Sequence, residues 1–131
     1  MARRWLVDAM NVIGSRPDNW WSDQDRAMRS LAEVLDDYAR ITGDEVIVVF
    51  DKTPKPPPTA TTVRLVYASR KGRNAADHEI VELVARDENP RGLRVVTSDK
   101  ALGERVTALG AGLVRSRTFR DRVERVRAEE S

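Results

Sequence analysis

The sequence predicts an α/β protein, a three-layer α/β/α sandwich with a mostly parallel central sheet. Three observations carry that expectation. Short apolar runs alternate with stretches of helical spacing along the whole chain, no repeat or linker interrupts them, and three of the runs lead into an aspartate. Strands alternating with helices favour a parallel sheet, and right-handed crossovers lay helices on both faces. At 131 residues the chain is expected to be a single domain, 1–131, able to bury a core without disulfides.

Arg4-Trp5-Leu6-Val7-Asp8 reads as a short buried strand ending in an acid. Asp25 to Ile41 carries Ala27, Leu31, Val34, Leu35, Tyr38 and Ile41 on one helical face, with Ser22 and Asp25 as an expected capping box and Gly43 as the stop. Glu45 to Phe50 is a nearly continuous apolar run, the mark of a strand covered on both faces, and Asp51 follows it. Lys52 to Thr62 holds Pro54, Pro56, Pro57 and Pro58 and is expected to be an extended, stiff loop. Val63 to Tyr67 reads as an edge strand, and Ala75 to Arg86 as a helix with Ala76, Ile80, Leu83 and Val84 inward. Leu93 to Thr97 is the next strand and leads into a helix near Ser98 to Leu109. Gly112 to Arg115 is the last strand, and Thr118 to Arg127 the last helix, with Phe119, Val123 and Val126 on one stripe.

Composition narrows the chemistry. There is no cysteine and only one histidine, His78. That excludes thiolate sites, a cysteine nucleophile and zinc sites built on several histidines. Any metal must be held mainly by oxygen, which favours magnesium or manganese. The lack of cysteine fits a reducing cytoplasm, the expected location. The first residues are too short in apolar content for a secretory signal, and no run approaches the ~20 residues of a membrane helix. A net charge of +2 is too small to argue for nucleic-acid binding.

The placement of the acids says more. Parallel strands point their carboxyl ends to one edge, so Asp8, Asp51 and Asp99 are brought together, and Asp77 opens a helix that can start at the same edge. Each has an ordinary alternative: Ser98 or Asp99 as a helix cap, Asn74 with Asp77 as a capping box. Asp8 and Asp51 follow buried runs, where an unpartnered acid is costly. Clustered carboxylates raise one another's pKa unless a cation intervenes. Asn11 could orient a carboxylate or a turn, and Thr97 and Ser98 could bond the same cluster. His78 is expected to face solvent.

These residues resemble the NYN branch of the PIN-like nucleases, more closely its YacP-like group. The resemblance rests on Val7-Asp8-Ala9-Met10-Asn11-Val12-Ile13, Val49-Phe50-Asp51, Ala76-Asp77-His78-Glu79-Ile80 and Val96-Thr97-Ser98-Asp99, in order over nearly the whole chain. It implies a PIN-like/NYN fold and a metal-dependent endoribonuclease, with one or two Mg2+ or Mn2+ ions. By it, Asp8, Asp51, Asp77 and Asp99 become the metal-binding and catalytic acids, with Asn11 supporting Asp8. Many relatives carry a further acid where this chain has Ala101, which leaves one ion or two open.

RNA is then the expected partner, messenger RNA first and the ribosome second, with no membrane. Arg70, Lys71 and Arg73 before Asp77, with Arg64 nearby, are placed to hold phosphates, and Lys52 and Lys55 would form the other wall. Trp20 and Trp21 either stack on bases or pack over the first long helix. Arg117, Arg120, Arg122, Arg125 and Arg127, interleaved with acids, read as a solvated helix face.

The sequence also admits three rival readings. A phospho-accepting receiver domain wants adjacent acids after its first strand and a lysine after its last; here Ala9 follows Asp8, and Arg115-Ser116-Arg117 follows the last strand. A haloacid-dehalogenase-type phosphatase needs a second aspartate where Met10 stands. The alternative that survives is a non-catalytic RNA- or ribosome-binding module of the same fold.

Overall fold

The computed structural model describes residues 2–16, 20–72 and 74–130, with Trp20 described by its backbone alone. In chain order the elements are β1 (Arg4–Asp8), α1 (Ala9–Gly14), α2 (Gln24–Thr42), β2 (Glu45–Phe50), β3 (Arg64–Tyr67), α3 (Ala75–Arg86), β4 (Leu93–Val96), α4 (Lys100–Ala108), β5 (Gly112–Val114) and α5 (Ser116–Glu130). Single 3-10 turns lie at Trp20–Ser22 and Pro90–Gly92. The five strands form one sheet in the order β3-β2-β1-β4-β5, every pairing parallel.

Alternation along each strand divides the core into two layers. Trp5, Val7, Val46, Val48, Phe50 and Val96 face α1, α2 and α5, where they meet Leu35, Tyr38, Phe119 and Val123. Leu6, Val49, Leu93 and Val95 face α3 and α4, against Ile80, Val84, Leu102 and Val106. The chain steps outward from β1 to β3 and then returns past β1 to β4. That reversal puts α3 and α4 on the face opposite α1 and α2, as connections of one hand require.

Several local readings shift. α1 was not expected; its six residues are too few for an apolar period to declare itself. The capping box at Ser22 and Asp25 is replaced by Asp23, whose carboxylate accepts from the Arg26 amide at 3.1 Å. Gly43 does stop α2, in the left-handed conformation at φ 74°. No side-chain cap forms at Asn74, so the alternative reading of Asn74 with Asp77 as a capping box does not hold. α5 starts at Ser116 and runs to Glu130, longer at both ends than its stripe indicated.

The C-terminal arginines are not simply solvated. Arg120 donates to the Ser15 carbonyl at 2.6 Å, Arg122 to the Tyr38 hydroxyl at 2.8 Å, and Arg127 to Asp37 at 3.0 Å. Arg122 also lies over the Trp5 ring, 5.7 Å from its centre. Three guanidinium groups thus hold α5 to α1 and α2, because each long side chain can reach over the apolar contact beneath it.

The proline loop runs beside α2 and is fastened to it. Arg29 donates to the Lys55 carbonyl at 2.8 Å. Asp36 accepts from the amides of Thr61, Thr62 and Val63 at 3.3, 2.7 and 2.9 Å. Desolvation opposes ionisation of Asp36, but those amides outweigh it and hold the carboxyl below its usual range. A depressed folded-state pKa stabilises above the unfolded value and is lost as pH falls through the folded one. Asp36→Ala should therefore cost about 1 kcal/mol at pH 7, discounted for solvent screening. Urea unfolding should show the difference from the native chain shrinking towards pH 3; a cost independent of pH would mean that the carboxylate's charge plays no part.

Candidate active site

β1 and β4 are neighbours at the point where the strand order turns back. The chain leaves β1 towards one face and β4 towards the other, and in open parallel sheets such a switch point is where ligands bind. Asp8 ends β1. Alternation sends its side chain to the face of Leu6, the face that α3 and α4 cover. Only 6% of it is exposed. The register pairs Val7 with Val96, so Thr97 stands level with Asp8. Its hydroxyl donates to Asp8 Oδ2 at 2.8 Å and accepts from the Asp99 amide at 3.2 Å. Accepting from Asp99 leaves the hydroxyl proton for Asp8.

Asp99 caps α4, with Oδ1 taking the Leu102 amide at 3.0 Å. Asp77 lies in the first turn of α3 without a side-chain bond to that helix's backbone. The two acids act on Asp8 through space. Burial raises the Asp8 carboxyl to about 6; the Thr97 hydroxyl and Asn11 amide oppose the rise, and the charges of Asp77 and Asp99 add to it. Asp77 is itself raised, by burial first and then by Asp99, while Arg105 and His78 pull the other way. Asp8, Asp77 and Asp99 are thus within electrostatic reach of one another.

Asp51 is placed differently. Asp8 pairs with Val49, so Asp51 stands two residues beyond that level on the neighbouring strand, a rise of roughly 7 Å. Its Oδ1 is buried with no hydrogen-bond partner. Among the described residues, no three acid or histidine side chains are close enough to form a ready cation cage. The donor chemistry nevertheless suits a hard divalent ion: carboxylate oxygens, one orphaned, with a raised pKa that a cation would relieve.

Asn11 does not bond the Asp8 carboxylate with its side chain. Its Oδ1 accepts from the Ser98 amide at 2.8 Å and from the Ser116 hydroxyl at 2.5 Å. The Ser116 amide in turn donates to Ser98 Oγ at 3.0 Å. Ser116 is completely buried and was not singled out from the sequence. At the head of a helix a serine reads as an ordinary cap, and only the tertiary fold joins it to a residue 105 positions away. Arg105 was missed for the same reason.

The basic residues flank this edge. Arg70 and Lys71 are exposed in the turn between β3 and α3, which Glu79 ties back by accepting from the Ser69 amide at 3.2 Å. Arg73 lies outside the described residues. Lys52, beside Asp51, is exposed, and so is His78, as expected. Trp21 is 61% exposed, which does not fit packing over α2; the Trp20 side chain lies outside the described residues.

An acid whose folded-state pKa is raised keeps its proton to higher pH than in the unfolded chain. Its stabilising effect is full below about pH 4 and lost as pH rises through about 6. With a chelator present, Asp8→Asn should stabilise the protein at pH 7 by up to about 3 kcal/mol, and by little at pH 4. Unfolding curves at both pH values decide it: equal stability of variant and native chain at pH 7 would show that Asp8 is not under strain from burial.

The model of the YacP-like NYN domain matches residues 5–131. The crystal structure of Rae1 (YacP) from Bacillus subtilis superposes with a TM-score of 0.79 at 26% identity, covering 96% of this chain and 76% of that one. Its W164L mutant gives 0.78 at 26% identity, with 95% and 76% covered. No curated protein matches the chain. The all-parallel sheet, its two helical layers and the match over nearly every residue lead to one assignment: the chain belongs to the YacP-like NYN family and has the fold of the PIN-like ribonucleases.

Proposed function

We propose that this protein is a metal-dependent endoribonuclease that hydrolyses RNA phosphodiester bonds at the carboxyl edge of the sheet. One observation carries the reading. Asp8 is buried at the switch point with its pKa raised to about 6, within reach of two further acids, and hydrogen-bonded to a hydroxyl and not to a cationic side chain. Shifted pKa values of this kind cluster where chemistry needs them.

In this reading Asp8, Asp51, Asp77 and Asp99 hold Mg2+ or Mn2+. When bound, such an ion lowers the pKa of water and neutralises charge on a phosphate. The protein's own residues do the positioning. Thr97 fixes Asp8 Oδ2 by donating to it, and the α4 cap fixes Asp99. Arg70, Lys71 and Arg73 hold the RNA backbone on the α3 side, and Lys52 does so beside Asp51, without reading bases. The chain acts as a single domain in the cytoplasm. Messenger RNA and ribosome-borne RNA are the candidate substrates, which crosslinking to Asp8→Asn would separate.

A non-catalytic RNA-binding module draws support from one feature, the commitment of Asp99 Oδ1 to its cap. The two readings part in a cleavage assay. Internal scission of a labelled RNA should require manganese or magnesium and fall more than about 100-fold in Asp8→Asn and Asp99→Asn, with calorimetric Mn2+ uptake lost in both. RNA binding that persists without any scission, with or without the ion, would favour the binding module. Replacing Arg70, Lys71 and Arg73 by alanine should lower the log–log salt slope of binding by about 2, equally for unrelated RNAs. Loss of one RNA with others retained would assign base reading to that turn.

A further inference from the structure

Three chain segments meet around one side-chain oxygen beside the acidic edge. Asn11 of α1 supplies Oδ1. The turn between β4 and α4 supplies the Ser98 amide at 2.8 Å, and the head of α5 supplies the Ser116 hydroxyl at 2.5 Å. The Ser116 amide closes the ring by donating to Ser98 Oγ at 3.0 Å. Ser98 is therefore held twice, through its amide by Asn11 and through its hydroxyl oxygen by Ser116. Its two neighbours are Thr97, which bonds Asp8, and Asp99.

We propose that Ser116 is a positioning residue of the metal site, acting through Asn11 and Ser98 on the turn that aims Thr97 and Asp99. The inference rests on the reading of the acidic edge given above. Docking of α5 does not account for this hydroxyl. Phe119 and Val123 bury that helix, and Arg120, Arg122 and Arg127 fasten it to its neighbours. The Thr97 amide is already held by the Val114 carbonyl at 3.0 Å, so the β4 end is set by the sheet. What the sheet leaves open is the step from Thr97 to Asp99, and the Ser116 ring constrains that step. Hydrogen bonds behind a ligand orient it, and losing one typically weakens metal binding by 10- to 100-fold.

The test compares four proteins with the native chain: Asp8→Asn, Ser116→Ala, Ser98→Ala and Val123→Ala. Mn2+ affinity is read by titration calorimetry, amide exchange at Ser98 and Asp99 in the metal-free protein, and RNA cleavage over a range of Mn2+ concentrations. Ser116→Ala should weaken Mn2+ by about tenfold, speed exchange at both amides, and lower kcat while leaving KM for RNA within about twofold. Raising Mn2+ should restore its kcat but not that of Asp8→Asn. Val123→Ala loosens α5 away from the ring, and should lower the melting temperature without changing Mn2+ affinity. Ser98→Ala removes the ring's other bond, from the Ser116 amide to Ser98 Oγ, and carries the test if Ser116→Ala does not fold. Native-like Mn2+ affinity in both serine variants would overturn the proposal, as would an equal loss in Val123→Ala. If the native chain shows no Asp8-dependent uptake, the metal reading itself fails, and the positioning role falls with it. A native chain that binds Mn2+ through Asp8 beside indifferent serine variants would leave the metal reading standing and remove the positioning role alone.

Discussion

The parallel pairing of β1 with β4 sets Asp8 level with Thr97 and next to the turn that carries Asp99. The chain leaves these two neighbours towards opposite faces, which makes their carboxyl ends the switch point of the sheet. Asp8 stands at that point with Thr97 as its hydrogen-bonding neighbour, while burial and two other acids raise its pKa. A hydroxyl relieves part of the desolvation of a carboxylate; a guanidinium would relieve far more. Among the described residues, no guanidinium hydrogen-bonds to Asp8. Stability at this edge is given up for a concentration of negative charge, which is how functional sites depart from packing rules.

The two faces of the sheet support the edge in different ways. On the α1, α2 and α5 face, polar groups are locked into the core. Asp44 accepts from the Trp5 indole at 2.9 Å and from the Arg3 amide at 2.9 Å, and Trp5 stacks at a tilt on Phe119, 4.9 Å between centres. Asp36 fastens the proline loop to the same layer. On the other face α3 is pinned at its far end, where Arg4 donates to both oxygens of Asp87 at 2.7 and 3.1 Å. Its near end carries Asp77 and is tied through Glu79 to the exposed turn at Ser69. The first layer thus carries Asn11 and Ser116, and the second carries Asp77.

What the sequence revealed and what it concealed follow from range. Glu45–Phe50 and Ala75–Arg86 match their ladders and helix because a buried run and a 3.6-residue period are local signals. Asp8, Asp77 and Asp99 were legible as one edge because parallel topology follows from element order. Register was not: nothing local says that Asp51 stands two residues beyond Asp8. Nor could the pattern of Arg120, Arg122 and Arg127 show that their partners are Ser15, Tyr38 and Asp37, since a charged face and a clamp have the same period. Ser116 is the extreme case, a cap by type and a tertiary link by position.

Asp99 shows how a structural role and a chemical one can share a side chain. A carboxylate offers about four acceptor positions. Capping α4 uses one on Oδ1 and leaves Oδ2 available. The cap therefore orients Asp99 and does not withdraw it. Asp77 makes no such capping bond; it sits on a helix start that Ala76 and Ile80 bury against the sheet. An edge with two acids held in place, one uncapped acid and one orphaned oxygen on Asp51 is not a finished cage. Asp8 and Asp99 are the two acids whose directions the fold already sets, one by the Thr97 hydroxyl and the other by the α4 cap.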